Sequence, residues 1–253
     1  MYTEEQFIQL EQEEREITDE AILLMLAILA SVHSDLESLI REFYQKYGKD
    51  GVVTYSEARK WASDSDHRRR LTVLLISINE NFSDLQSNLT PEFKTMLAKV
   101  ISKESKFFNE DVDEEKVINT PWGVDEETWL ERLEADVILW CAYIANDIKQ
   151  SLLKRKTLEE VLKQLDKRFV SMSYVLEKLG LTESTAIGSI ARQVIFRELG
   201  ISKYQFYTRE DERTCEVCGS MHGLIFPISA FEVGVTASPL HPRCRCWEIP
   251  IRD

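Results

Sequence analysis

The sequence predicts a mostly α protein: an elongated helical body followed by a small C-terminal module with short β-strands. Helix breakers are the first observation. Residues 1–120 hold one proline and two glycines, whereas four of the six prolines fall between Pro227 and Pro250. Apolar periodicity is the second. Leu26, Leu29, His33, Leu36, Ile40 and Phe43 recur at three and four residues, the spacing of one helical face. The third is the placement of the thiols. Four of the five cysteines lie in the last forty residues, as Cys215-Glu-Val-Cys218 and then His241-Pro-Arg-Cys244-Arg-Cys246. Cys-x-x-Cys followed at a distance by His-x-x-Cys and Cys-x-Cys supplies tetrahedral soft ligands, so the module is expected to be zinc-stabilised.

Taken in order, the first helix is predicted over residues 4–47, stopped at Gly48 with a turn through Gly51. A second begins at Ser56 and breaks near residues 63–66, and a third runs over 67–85. Thr90-Pro91-Glu92 reads as a fresh helix start, threonine as cap and proline in first position, leading to residue 108. The charge-rich residues 109–115 mark a boundary. After a Pro121-Trp122-Gly123 turn, Asp125 is expected to cap a helix over 126–154. Thr157 and Glu160 match a capping box for a helix ending at Gly180. Thr182 then caps one more, ending at Leu199-Gly200, and the alternating residues 203–208 form a short strand. This divides the chain into an N-terminal helical region (1–117), a second helical part (118–202) and the C-terminal module (203–253).

The formal net charge is −13, and residues 201–253 contribute only −1 of it. Eight carboxylates stand between Glu4 and Glu20 against Arg15 alone. Such a chain is expected to be soluble, with no general attraction to DNA or to an anionic membrane. Acidic residues precede the apolar run 21–32, so a signal peptide is not expected; 12 residues are too few to span a bilayer, and the run reads as buried helix. The chain is therefore expected in a reducing cytoplasm, where clustered thiols hold metal rather than pair as disulfides.

Five candidates compete for four metal places. Cys215, Cys218, His241 and Cys244 form the first choice, with Cys246 as substitute; His222 is weaker, since Met221-His-Gly223 reads as a turn between two short strands. The zinc is expected to be structural, because some fifty residues with few bulky apolar side chains make a poor core, so binding energy becomes folding energy. Asp66-His-Arg-Arg-Arg70 reads as a solvated helix start, and Lys154-Arg-Lys156 as cations suited to a helix C-terminus. Trp129, Trp140 and Tyr143 read as core, as does His33. Glycine-rich phosphate loops, nucleophile elbows and His-Glu-x-x-His helices are absent from the sequence.

The tail resembles a known family. Tyr204-Gln-Phe-Tyr-Thr208, Asp211-Glu-Arg-Thr-Cys215, Cys218, Gly223-Leu-Ile-Phe226, Gly234 and Pro239-Leu-His-Pro-Arg-Cys-Arg-Cys246 are similar to the phage head morphogenesis domain of the phage Mu protein F-like minor head proteins. The likeness is specific over 204–251 and looser over 122–200. Ser238 departs from it, standing where a first proline is common, and implies a looser turn before His241. Ala191-Arg-Gln-Val-Ile-Phe196 only echoes the family's arginine-threonine-glutamate tract.

The resemblance implies a non-enzymatic minor capsid protein in the virion, at the head interior or portal vertex, made in the bacterial host cytoplasm. Its implied partners are the portal protein and the procapsid, scaffold or major capsid proteins, with transient contact to phage DNA and none to membrane. Two other readings stand beside it. An HNH-like nuclease or toxin-like enzyme needs a histidine base beside an open metal position, and His222 is the only histidine the tail leaves over. A nucleic-acid-binding zinc module needs a basic face, for which Arg209, Arg213, Arg243, Arg245 and Arg252 face seven acids.

Overall fold

The structure, a computed structural model, describes residues 3–53 and 65–251. Its elements are α1 (Glu4–Tyr47), α2 (Ser65–Phe108), α3 (Glu114–Ile118), α4 (Trp129–Leu153), α5 (Leu158–Glu198), β1 (Lys203–Tyr207), α6 (Glu216–Met221), β2 (Ile225–Pro227), a 3-10 turn (Ile228–Ala230) and β3 (Trp247–Ile251). A mostly helical chain ending in a small β module is what the sequence predicts. The expected helix start at Ser56 lies outside the described residues.

Two expected breaks are absent. α2 continues through Pro91, although proline removes a backbone donor and costs a helix interior about 3 kcal/mol. The apolar stripe offsets this: Leu85, Leu89, Phe93, Met96, Leu97 and Val100 are all buried on either side of the proline. Thr90 does not cap; its hydroxyl donates to the Gln86 carbonyl within the same helix. α5 likewise continues through Gly180. Leu176, Leu179, Leu181, Ala186 and Ile187 are buried along it, and the Thr182 hydroxyl donates to Lys178 O at 2.6 Å instead of capping a new helix. α4 begins later than expected, at Trp129. Its capping box is Thr128 with Glu131, whose carboxylate accepts from the Thr128 amide at 2.8 Å. Asp125 is instead bound to Arg132. The Thr157–Glu160 box is present as predicted.

The chain forms two compact units. One comprises Met25–Thr90 and Leu133–Val175. Four helical segments bury Leu29, Leu36 and Ile40, Ile78 and Phe82, Val137, Trp140 and Ile144, and Leu165 and Phe169. Their spacing of three and four residues is that of packed helix faces. His33 Nε2 lies 2.9 Å from Asp166 Oδ1, its ring edge against Phe169, so it is a partnered histidine on the apolar stripe. Tyr143 is not core: it is 42% exposed, with Arg168 over its ring. By length and composition α1 could cross a membrane, since an 18-residue window reaches a mean hydropathy of 1.6. The apolar run is longer than residues 21–32 suggested, and Ile22, Met25, Leu29 and Val32 are buried in the fold.

The other unit comprises Met1–Leu24, Pro91–Arg132 and Leu176–Asp253. An aromatic series joins its segments: Phe7 on α1 to Phe108 on α2, Phe108 to Phe196 on α5, Phe196 to Phe231, and Phe231 to Tyr204 on β1, with centroids 4.6–6.4 Å apart. The sheet order is β2-β1-β3, all antiparallel, pairing Tyr204 with Phe226 on one side and Pro250 on the other.

Beside this core lies a buried charge cluster. Arg192 on α5 donates to Glu104 on α2 and, at 3.1 Å, to Glu248 on β3, while Glu14 on α1 stands 3.6 Å away. Ser189 and the Ser238 amide complete the shell of Glu248, at 3.1 and 2.6 Å. Glu14 Oε1, Arg192 Nε and Trp247 Nε1 have no protein partner and border a cavity of about 30 Å³, roomy enough for ordered water.

Three carboxyls around one guanidinium cannot all be ionised cheaply in a dry interior. Burial, and then Glu104 alongside, hold the Glu14 carboxyl well above the ordinary carboxylate range. The folded state therefore binds a proton that the unfolded chain releases above about pH 4.5, and stability falls with rising pH until the folded carboxyl itself ionises. Thermal melts of Glu14→Gln and the parent should coincide near pH 5. By pH 8 the variant should melt higher, because glutamine keeps the neutral donor to Glu104 without the ionisation penalty.

Candidate metal centre

Phe206, Cys218, Cys244 and Cys246 form the buried heart of the tail, with Cys215, Met221, Phe226 and Leu240 packed against it. Cys215 caps the short helix α6, its sulfur accepting from the Cys218 amide at 3.4 Å, so one turn aims both thiols to the same side. After α6 the chain reverses at His222 and Gly223, where φ is +80°, a value glycine adopts without strain. The second donor group sits on the turn His241-Pro-Arg-Cys244, closed by the Cys244 amide on His241 O. Helix α5 holds that turn. Thr182 Oγ1 accepts from the Arg243 amide at 3.0 Å, and Thr185 Oγ1 lies 3.1 Å from Cys244 O.

The donors converge. His241 Nε2 lies 3.3 Å from Cys215 Sγ and 3.2 Å from Cys218 Sγ, and Cys218 Sγ lies 3.7 Å from Cys244 Sγ. Tetrahedral edges built from Zn–S of about 2.3 Å and Zn–N of about 2.0–2.1 Å are about 3.8 Å between sulfurs and about 3.5 Å between sulfur and nitrogen, close to what is found. Two ligand-capable sets arise, Cys215–Cys218–His241 and Cys218–Cys244–Cys246, each within 4.8 Å, and Cys218 belongs to both. His241 Nδ1 donates to Pro242 O at 2.9 Å, which leaves the Nε2 lone pair facing the sulfurs.

Electrostatics favours a cation here. Hydrogen bonds from Cys218 and Cys246 push the Cys244 thiol far down, and donating to Cys244 pushes those two thiols up. Several thiolates crowded this closely repel one another, and a positive ion among them would relieve that repulsion. The Cys218 amide lowers Cys215. The cluster could thus hold a metal ion.

Of the other candidates, His222 points elsewhere. Its Nδ1 accepts from the Thr208 amide at 3.2 Å, its Nε2 lies 3.5 Å from Glu210, and its ring meets Tyr207. It also caps α6 rather than linking two strands directly. Cys141 stands apart on α4 beside Asn79.

Several residues brace the centre through contacts that their positions in the sequence motifs did not reveal. Arg245, between the last two cysteines, grips Asp211 through both carboxylate oxygens at 2.6 and 2.8 Å. That grip holds the Asp211 carboxyl far below its usual range. The two cysteine groups are therefore joined by an ion pair as well as by their sulfurs. Ser238 does not loosen the turn before His241: it is fully buried, and its amide donates to Glu248. A proline there would have no N–H to give. Glu183, buried on α5, accepts from Trp122 Nε1 at 2.8 Å and Arg132 at 3.0 Å, holding the Trp122 turn against the helix.

These features define a class, a helical protein whose C-terminal module is built around a Cys/His cluster fit to hold a metal. Residues 142–249 match the family of the phage Mu protein F like protein, a phage head morphogenesis family, as the tail motifs implied. No curated protein and no solved structure matches the chain. The match takes in Arg192, Glu248 and all five candidate ligands, but not Glu14 or Glu104.

Metal removal should be felt in the tail first. A strong chelator should shift the amide spectra of residues 203–251 and lower the melting temperature. Cys218→Ser should reproduce both effects, while Cys141→Ser leaves metal content unchanged.

Proposed function

We propose that this chain is a minor head protein of a tailed phage or prophage that binds the portal protein and procapsid and supports DNA packaging or delivery. The observation that carries this reading is the match over residues 142–249 to a phage head family, with the converged cysteines and His241 inside it. The metal is a structural Zn²⁺. Cys215, Cys218, His241 and Cys244 are its ligands, and Cys246 is an outer thiol beside Cys244. The Cys218–Cys244 separation of 3.7 Å, one tetrahedral edge, is compatible with that set, and Cys246 clusters with the same two sulfurs. Zinc supplies no chemistry in this role beyond fastening the two turns.

Assembly rather than catalysis is supported by the surroundings of the donors. Cys218, Cys244 and Cys246 are buried, and a closed set of four protein ligands leaves no open position for a reacting water. His222, the only spare histidine of the tail, accepts a backbone hydrogen bond at Nδ1. An acidic body disfavours general DNA binding, so contacts with DNA are transient. The protein resides in the virion, at the head interior or portal vertex.

Co-expression with the cognate portal protein, followed by size exclusion, should yield a complex carrying about one zinc per chain. A chain that elutes apart from portal would refute the partner. A folded tail free of metal would refute the zinc. Metal-dependent plasmid cleavage abolished by His222→Ala would establish the nuclease instead.

A further inference from the structure

Two of the arginines that read as a solvated helix start in the sequence line a cavity. Arg69 and Arg70, near the start of α2, form one wall of it together with Val73 and Leu74. The end of α1 forms the other, with Glu42, Phe43, Lys46 and Tyr47. All of these residues belong to one compact unit. The cavity measures about 390 Å³, within the range of small-molecule sites, whereas the space beside Arg192 admits only water. Cations that merely face solvent need no such space between them.

The lining identifies the chemistry of the ligand. Phe43 and Leu74 are buried and make an apolar floor, while Val73 is left 58% exposed. The Arg70 guanidinium lies over the Tyr47 ring, 4.6 Å from its centroid, and Lys46 Nζ approaches the same ring at 5.5 Å. Among the described residues no carboxylate pairs with Lys46 or Arg69, and Glu42, the one acid in the lining, bonds neither. A chain of net charge −13 thus gathers three cations about one cavity against a single acid. Such a balance draws in an anion. The walls narrow the choice. A guanidinium stacked on an aromatic ring is a platform for a flat nucleobase, and a lysine and an arginine without carboxylate partners suit a phosphate. A bare inorganic anion would leave the apolar floor and Val73 uncovered.

We propose that this cavity binds one nucleotide, its base against the Tyr47–Arg70 stack and its phosphate between Lys46 and Arg69. The nucleotide is free or belongs to a single strand of nucleic acid, since both present the same chemistry. The site lies outside residues 142–249, so the inference stands apart from the portal reading. Calorimetric titration of the full, metal-loaded chain with deoxyadenosine monophosphate and with a short oligodeoxyadenylate tests it. At least one of the two should bind with a dissociation constant below about 1 mM. Deoxyadenosine alone and inorganic phosphate alone should each bind at least about tenfold more weakly. Lys46→Gln and Arg69→Gln should each weaken binding about tenfold and flatten its salt dependence. Both side chains are exposed, so the melting temperature should not move. A strand that binds where the mononucleotide does not supports the proposal and assigns the source to nucleic acid; equal binding supports it and assigns the source to free nucleotide. Absence of binding by either at about 1 mM overturns the proposal. So does phosphate or nucleoside alone binding as tightly as the whole, or binding indifferent to both substitutions. Dodecyl phosphate binding more tightly than the mononucleotide overturns it too, and gives the cavity to a lipid-like anion.

Discussion

The guanidinium of Arg192 is the constraint on which the unit with the cysteine cluster depends. It sits where α1, α2, α5 and β3 meet, and each of the other three segments sends it a carboxyl group. Buried ion pairs gain little over well-packed apolar side chains, but removing one partner strands a charge and costs about 3–5 kcal/mol. Such a cluster specifies arrangement more than it adds stability. Only one placement of the N-terminal helix against the tail satisfies Glu14, Glu104 and Glu248 together. The adjoining aromatic series supplies the apolar energy and tolerates small shifts; the charges do not.

The metal centre inherits this definition. Its second turn hangs from α5 through Thr182 and Thr185, and the same helix carries Ser189 and Arg192 two turns on. Glu248 follows Cys246 by two residues, so the strand that leaves the cysteine cluster enters the charge cluster at once. The pairing of Asp211 with Arg245 links the two segments that carry the cysteine groups.

What could be read from the sequence follows from the range over which each signal acts. The Thr157–Glu160 box, the stop at Gly48, the strand at 203–207 and the convergence of cysteines with His241 are local or motif-borne, and each is present. Pro91 and Gly180 misled because local breaking was judged without knowing how many apolar neighbours would be buried around them. Asp125 looked like a cap when Thr128 three residues later was the better one, and its real partner, Arg132, faces it only after the turn closes. The buried acids are the extreme case. Glu14 and Glu104 sit in sequences indistinguishable from solvated helix faces, and the guanidinium they share, Arg192, is 88 residues from Glu104 and further still from Glu14. The Ser238 departure had the opposite consequence to the one expected, because its function lies in an amide hydrogen and not in its side chain alone.

The span of these contacts also sets an order of events during synthesis. Glu11 and Arg209 are separated by 198 residues, yet they share an ion pair. By contrast, the Cys215-to-Cys246 loop closes over a few tens of residues, and short loops close at lower entropic cost. The first turns of α1 find their charge partners far along the chain: Glu13 with Lys103 on α2, Glu14 beside Arg192 on α5, and Glu11 with Arg209 just past β1. Until these are made, its buried carboxylates stay hydrated and its apolar stripe has no completed core to enter. The acidic character of residues 4–20 keeps that waiting segment hydrated until those distant partners are in place.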